Sequence, residues 1–327
     1  MKISPLRLNH VFAALACVLL SIAFECAAQD FPSKPIRFVV PYGAGGGPDV
    51  IARVIGQKLG ESVGQQVIVD NRPGAGGIIA AELAMKAPAD GYTLFVADTG
   101  HLAINPALYP KLPYDPLRDF APVTLAVSTP LFLVAHGGLP VTSVGQLIAY
   151  AKSHPGLPFG SSGNGSVHHL GMELVKLMAG VDMTHVPYKG VAQSVPAVIT
   201  GDVAVIIAAL PSVLPHLKTG KVRLLGVGTA KRTPVIPDVP TIAEAGLPGY
   251  EIKVEIGFMV PAGTPRDLIA RLNGEIVKVL NTPEVAKRLT GLGIDPVGSS
   301  SERYAEVIRA DQQKFGKLVK DSGARVD

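Results

Sequence analysis

A chain of 327 residues is too long for one ordinary domain and suits two of about 150 residues each. With 47% hydrophobic and 17% charged residues, and with 36 glycines and 28 prolines spread along it, the composition excludes a disordered or fibrous chain and describes a loop-rich α/β protein. A formal charge of +4 without a long basic run or aromatic-basic interleaving gives no footing for nucleic acid as a partner.

Residues 1–28 read as a cleavable secretory signal peptide. Lys2 and Arg7 supply a positive start, Val11 to Phe24 is apolar, and Cys26-Ala27-Ala28 offers small residues before a cut ahead of Gln29. The apolar run falls short of the roughly 20 residues a membrane-spanning helix needs, so an uncleaved anchor is the lesser alternative. Both cysteines, Cys17 and Cys26, lie in this leader. The processed chain therefore has no thiol, which suits export to a bacterial periplasm.

The rest of the chain is organised around the stretch Ile36 to Gly60. Ile36 to Val40 is a buried parallel strand, and Gly43, Gly45, Gly46 and Gly47 free the backbone so that several N–H groups can turn toward one point. Pro48 suits the first turn of a helix whose apolar stripe is Ile51, Val54, Ile55 and Leu59. A helix start behind a glycine loop favours a carboxylate or a phosphate. The rival pattern is the dinucleotide fingerprint G-x-G-x-x-G, matched at Gly43 and Gly45 with Asp70 as its ribose acid, but Pro48 stands where the third glycine belongs. A tight turn that binds nothing is the third alternative.

A second unit repeats the theme, with a strand at Gln66 to Val69, the turn Asp70 to Gly77 and a helix through Ile78, Leu83 and Met85. The strand Tyr92 to Ala97 ends in Asp98-Thr99-Gly100-His101, where Thr99 can offer a hydroxyl at the sheet edge or simply cap a turn. Asn105 to Phe120, dense in proline and tyrosine, is expected to be an ordered loop without helix. Val123 to Val127 and Leu131 to Ala135 read as two strands separated by a hinge at Ser128-Thr129-Pro130.

Beyond the helix Val144 to Ser153, the strand Leu157 to Ser162 leads into Gly163-Asn164-Gly165-Ser166-Val167-His168-His169. Ser166 can cap the next helix, whose expected buried face is Leu170, Leu174, Leu177 and Met178, and glycine N–H groups again point at one place. A serine hydrolase is disfavoured, since G-x-S-x-G needs glycine where Asn164 and His168 stand. No carboxylate or third histidine stands at metal-ligand spacing. Val203 to Ala209 is a further buried strand, Lys253 to Val260 returns to the first domain, and the last helix, Ser301 to Val319, is expected to pack there.

The ordered stretches KPIRFVVPYGAGGGPD, DNRPGAGG, DGYTL, LAINPALYPKLPYDPLRDFAPV, FGSSGNGSVHHLGMEL, HVPYKG, LPSVLPHLKTGK, AKRTPVIPDVPTIAEAGLPGYE and PAGTP resemble the Bug, or TctC-like, family of periplasmic solute receptors for tripartite tricarboxylate transporters. The resemblance implies a type II periplasmic-binding-protein fold of two α/β domains joined by two crossover hinges. Residues 29–128 and 254–327 would make one domain and 129–253 the other. It also implies a small carboxylate held by the loops at Tyr42 to Asp49 and Ser161 to His168, partly through water, and membrane transporter subunits as partners. The expected ligand-binding set is Tyr42, Gly43, Ala44, Gly45, Gly46, Asp49, Thr99, Ser162, Gly163, Asn164, Gly165, Ser166, His168 and Ala208, with no catalytic residue, metal or cofactor, in a monomer. An exported sensor for a membrane signalling partner is the alternative use of the same cleft, and a dinucleotide-dependent oxidoreductase is the rival of another class.

The chain departs from its relatives at Pro48, where threonine is common, at Ile207-Ala208-Ala209, where many carry Phe-Asp-Asn, and at Glu255-Ile256, where an aromatic pair is usual. If Ala208 faces the ligand, an ammonium group loses its partner, which favours a compact mono- or dicarboxylate, aromatic or aliphatic, over aspartate or glutamate. Glu255 either enters the cleft or is solvated on an edge strand beside Lys253.

Overall fold

The computed structural model describes residues 31–326, so the leader lies outside the described residues. β1 (Ile36–Val40) is buried on both faces: Ile36, Phe38 and Val40 enter one apolar cluster and Val39 another. It pairs in parallel with β2 (Val67–Asn71) and β3 (Thr93–Asp98), as strands joined by helical crossovers do. The crossovers carry α1 (Gly47–Val63) and α2 (Ile78–Met85). After β3 a wide helical turn, Gly100–Ile104, runs into α3 (Asn105–Leu108), where a loop was expected. Pro106 is tolerated in that first turn, and the Asn105 side chain anchors it by donating to Gly76 O and the Tyr114 hydroxyl.

β4 (Phe120–His136) is one strand of 17 residues rather than two separated by a hinge. Up to Pro130 it pairs antiparallel with β9 (Lys253–Pro261), and from Leu131 onward with β7 (Val205–Ala209) and β8 (Val222–Val227). Proline has no N–H for a ladder, and the partners change at that residue while the strand continues. The second half holds α4 (Val144–Ser153), β5 (Leu157–Ser161), α5 (Val167–Ala179), β6 (Met183–Pro187), α6 (Val191–Thr200) and α7 (Leu210–Leu217). The strand order is β2-β1-β3-β9-β4-β7-β5-β6, with β8 and the short β10 (Asp295–Pro296) also paired to β4.

Each half has helices on both faces of its sheet. In the first, α1, α8 (Arg266–Leu280) and α9 (Pro283–Gly291) cover Phe38 and Phe258, while α2 and the start of α10 (Ser301–Ser322) cover Phe95 and Met259. In the second, Phe159, Leu170, Ile207 and Tyr250 lie on one face and Phe132, Ile206 and Val213 on the other. α10 does not stay on the first half: Tyr304 and Ile308 pack there, whereas Phe315, Leu318 and Val319 join the core of the second. The face of α5 is also rotated from the expected one. His169, Leu170, Met172 and Glu173 are buried, and Leu177 and Met178 are 46% and 38% exposed.

Glu255 sits on β9, which is a central strand and not an edge. Its side chain is buried, with Lys253 Nζ 2.9 Å from Oε1 and Oε2 without a partner among the described residues. Burial, and then the neighbouring Glu255, push the Asp311 carboxyl on α10 up to about 7. The folded state therefore binds a proton that the unfolded state releases near its ordinary value of about 3.9, and stability falls as pH rises between those values. Asp311→Asn removes that dependence. Urea midpoints should show the variant more stable than the parent at pH 8, with the difference shrinking toward pH 5.

Candidate functional site

The first loop is built by Asp49. This buried carboxylate, in the first turn of α1, accepts from Gly45 N–H at 2.8 Å, Asn71 Nδ2 at 2.9 Å and Arg53 Nε at 3.0 Å. Gly45 takes φ +83°, which permits the turn. Burial pushes the Asp49 carboxyl up, but these hydrogen bonds and the Arg53 charge hold it below the usual carboxylate range. Asp49 is thus engaged inside the loop. Gly46 N–H donates to Gly43 O at 3.3 Å. Among the described residues, the N–H groups of Gly43, Ala44 and Gly47 have no protein acceptor, and these three residues are exposed.

Behind the loop stands Asp98, buried at the end of β3. Tyr42 donates its hydroxyl to Asp98 Oδ2 at 2.5 Å, Gly100 N–H donates to Oδ1 at 2.9 Å, and His101 Nδ1 lies 2.7 Å from Oδ1. Burial raises the Asp98 carboxyl and the Tyr42 hydroxyl alike; for Asp98, His101 and the hydrogen bonds outweigh burial and keep it ionised, while for Tyr42 the Asp98 charge adds to the rise. Tyr42 therefore presents a half-buried ring, with its hydroxyl proton held by Asp98. The Thr99 hydroxyl accepts from Glu255 N–H at 2.9 Å and so ties β3 to the crossover strand.

The second loop, Ser161 to Ser166, has its own internal bonds. Gly163 N–H donates to Ser161 Oγ at 3.1 Å and Gly165 N–H to His169 Nδ1 at 3.1 Å. Ser166 accepts from His169 N–H at 3.2 Å, capping α5, and donates to Gly163 O at 2.8 Å. The two glycine N–H groups and the Ser166 hydroxyl, expected to face an anion, are thus engaged within the loop. Asn164, exposed, and Ser162 keep backbone N–H groups without a protein acceptor among the described residues. Ser162 Oγ lies 2.8 Å from His168 Nδ1, and burial, opposed by the Asp98 charge across the cleft, pushes His168 down to about 4, which leaves it neutral.

The loops belong to opposite halves, and the second meets the first half at α3. Gly165 takes φ +70°, and a Cβ built there would collide with Leu108 of α3. Ala208 is not part of this meeting. It is fully buried in the apolar cluster with Phe132, Ile206 and Val213, because even-numbered β7 residues face away from α5. Expected in the ligand-binding set, Ala208 is instead part of this apolar packing. Sequence reasoning missed Asp98, Asn71 and His169 as loop holders. The signal for Asp98 was available in Asp98-x-x-His101, a strand-end carboxylate three residues before a ring nitrogen.

A family model described as tripartite tricarboxylate transporter family receptor matches residues 51–324. Protein BugT of Bordetella pertussis is 36% identical over 307 residues, 93% of this chain and 94% of that protein. An R. palustris structure with adipate superposes with a TM-score of 0.83 at 39% identity, covering 90% of this chain and 99% of that one. MatC from Rhodopseudomonas palustris with bound malate gives 0.78 at 33% identity, covering 88% and 100%.

Asp49→Ala leaves a half-exposed guanidinium, an amide and the Gly45 N–H without their acceptor, and should cost about 1–2 kcal/mol in denaturant unfolding at pH 7. Because the folded carboxyl lies below its ordinary value of about 3.9, the contribution is whole above that pH and is lost as pH falls through the lower folded value. The parent and the variant should therefore converge in stability at strongly acid pH.

Proposed function

Because the chain belongs to the tripartite tricarboxylate transporter receptor family, we propose that it is an exported, monomeric receptor that closes its two halves over a small carboxylate and delivers it to a membrane transporter of that type. The observation that carries this reading is the pair of pinned loops. Each stands before a helix, α1 or α5, each leaves backbone N–H groups without acceptors, and the two come from opposite halves of the molecule. No lysine or arginine lies in either loop. Backbone donors and helix ends then supply the positive potential for one carboxylate, without a charge that must be desolvated on its own.

The adipate and malate held by the two R. palustris proteins support an aliphatic dicarboxylate as the kind of ligand. With Asp98 ionised behind Tyr42, the anion is best placed at the exposed crest of the loops and away from the β3 end. The dinucleotide reading finds Asp70 already engaged, since Arg37 and Arg72 both hold its carboxylate. A receptor role needs no catalytic group, and the reading includes none.

A thermal-shift panel of adipate, malate, aspartate, glutamate and an oxidised nicotinamide dinucleotide tests the proposal. A carboxylate at 100 times its dissociation constant should stabilise the chain by about 2.7 kcal/mol, whereas the dinucleotide should give no shift. A shift with the dinucleotide alone contradicts the reading.

Gly165→Ala should weaken adipate binding at least about tenfold, because the added methyl meets Leu108 and the positive φ is strained. The double variant with Leu108→Ala should recover part of the loss in calorimetry. Unchanged affinity in Gly165→Ala would show that the seating of the second loop against α3 is not how the ligand is held.

A further inference from the structure

Under the second loop lies a stack of rings that the grip itself does not use. His169 from α5 and His185 from β6 lie face to face, with centroids 3.7 Å apart and planes 9° from parallel, and Phe159 of β5 is 5.0 Å from His185. His185 Nε2 is 2.6 Å from Ser161 Oγ, and Ser161 in turn holds both the N–H and the carbonyl of Gly163 at 3.1 Å. His169 Nδ1 accepts the N–H of Gly165. One ring of the stack thus reaches each glycine of the loop, His185 through Ser161 and His169 directly.

The protonation of His169 is set by its partners. A backbone N–H can only donate, so Nδ1 must be an unprotonated acceptor, and the ring proton belongs on Nε2, which lies 3.6 Å from Glu173 Oε1. Any further proton must enter at Nδ1. It would set two donors against each other at Gly165 and put a positive charge against the parallel face of His185. The charged groups facing the stack are Glu173, which favours a charged His169, and Lys176, bound to Glu173 at 2.8 Å, which opposes it. From β5 come only Ser161 and Phe159. Burial, and then His169, push His185 down to about 4, so His185 adds no charge of its own near neutral pH.

We propose that His169, braced by His185, is a positioning residue for the second loop, holding Gly165 in its anion-gripping place only while the ring is uncharged, so that acid loosens the grip and releases the carboxylate. The inference rests on the receptor reading for its ligand and on these contacts for its mechanism. It makes ligand capture proton-sensitive through a residue that need not touch the ligand.

The experiment tracks the amide signal of Gly165 by NMR, with adipate affinity by calorimetry, between about pH 7.5 and about pH 4.5 in the full chain. The variants are His169→Gln, whose side-chain oxygen accepts from Gly165 at every pH, and His169→Leu, which cannot accept. Circular dichroism at each pH checks that the fold persists. In the parent, the Gly165 signal should shift and adipate affinity should fall as the pH drops. The His169→Gln variant should hold both nearly flat relative to the parent, which cancels the titration of adipate itself. The His169→Leu variant should bind about tenfold more weakly at neutral pH. A Gly165 signal that ignores pH while the fold persists, or identical pH profiles for the parent and His169→Gln, overturns the proposal. If adipate binds the parent at no pH, the choice of ligand fails, and the Gly165 signal alone decides whether the ring sets the loop.

Discussion

In the proposed receptor, ligand capture depends on where a few backbone N–H groups point, and in each loop a buried side chain decides that. Asp49 gathers Gly45, Asn71 and Arg53 in the first loop, and His169 takes Gly165 in the second. A glycine loop without such an anchor loses conformational entropy on ordering, and the cost would come out of ligand affinity. Here the ordering is done in folding, by two buried side chains that hold loop N–H groups. The donors left over at Gly43, Ala44, Gly47, Ser162 and Asn164 are held in place by neighbours that are not themselves available.

The two halves stay coordinated through two elements. β4 changes ladder partners at Pro130 without breaking, and α10 puts Tyr304 into one core and Phe315 into the other. A long strand and a bridging helix thus run through both halves while each sheet keeps its own register. Thr99 joins the end of β3 to this region by accepting from Glu255 N–H. The periplasmic binding-protein fold thus arises from where the chain crosses between sheets as much as from the sheets themselves.

Much of the architecture was legible in the sequence, because β-branched runs followed by glycine and then an amphipathic period leave few alternatives. The helices Val144–Ser153 and Arg266–Leu280 fall where periodicity placed them. What could not be read was the partnering of polar side chains. Asp49, Thr99 and Ser166 have the right chemistry and position for a ligand, yet each is engaged by a backbone group that only the folded chain brings near. Ala208 failed for another reason: strand alternation decides which face a residue takes, and the departure from the family pattern carried no information about the face. The rotated face of α5 comes from burying His169 and Glu173, which turns Leu177 and Met178 outward.

The most direct measurement of the central claim, that an anion is held by uncharged backbone donors from both loops, is an amide chemical-shift titration with adipate. The account predicts that the largest changes fall on Gly43, Ala44, Gly47, Ser162 and Asn164 together, in one saturating step. The contrary result is a set of changes confined to the open hollow between α1 and β2, lined by Arg53, Gln57 and Gln65, which would place the anion on a surface arginine and outside the cleft.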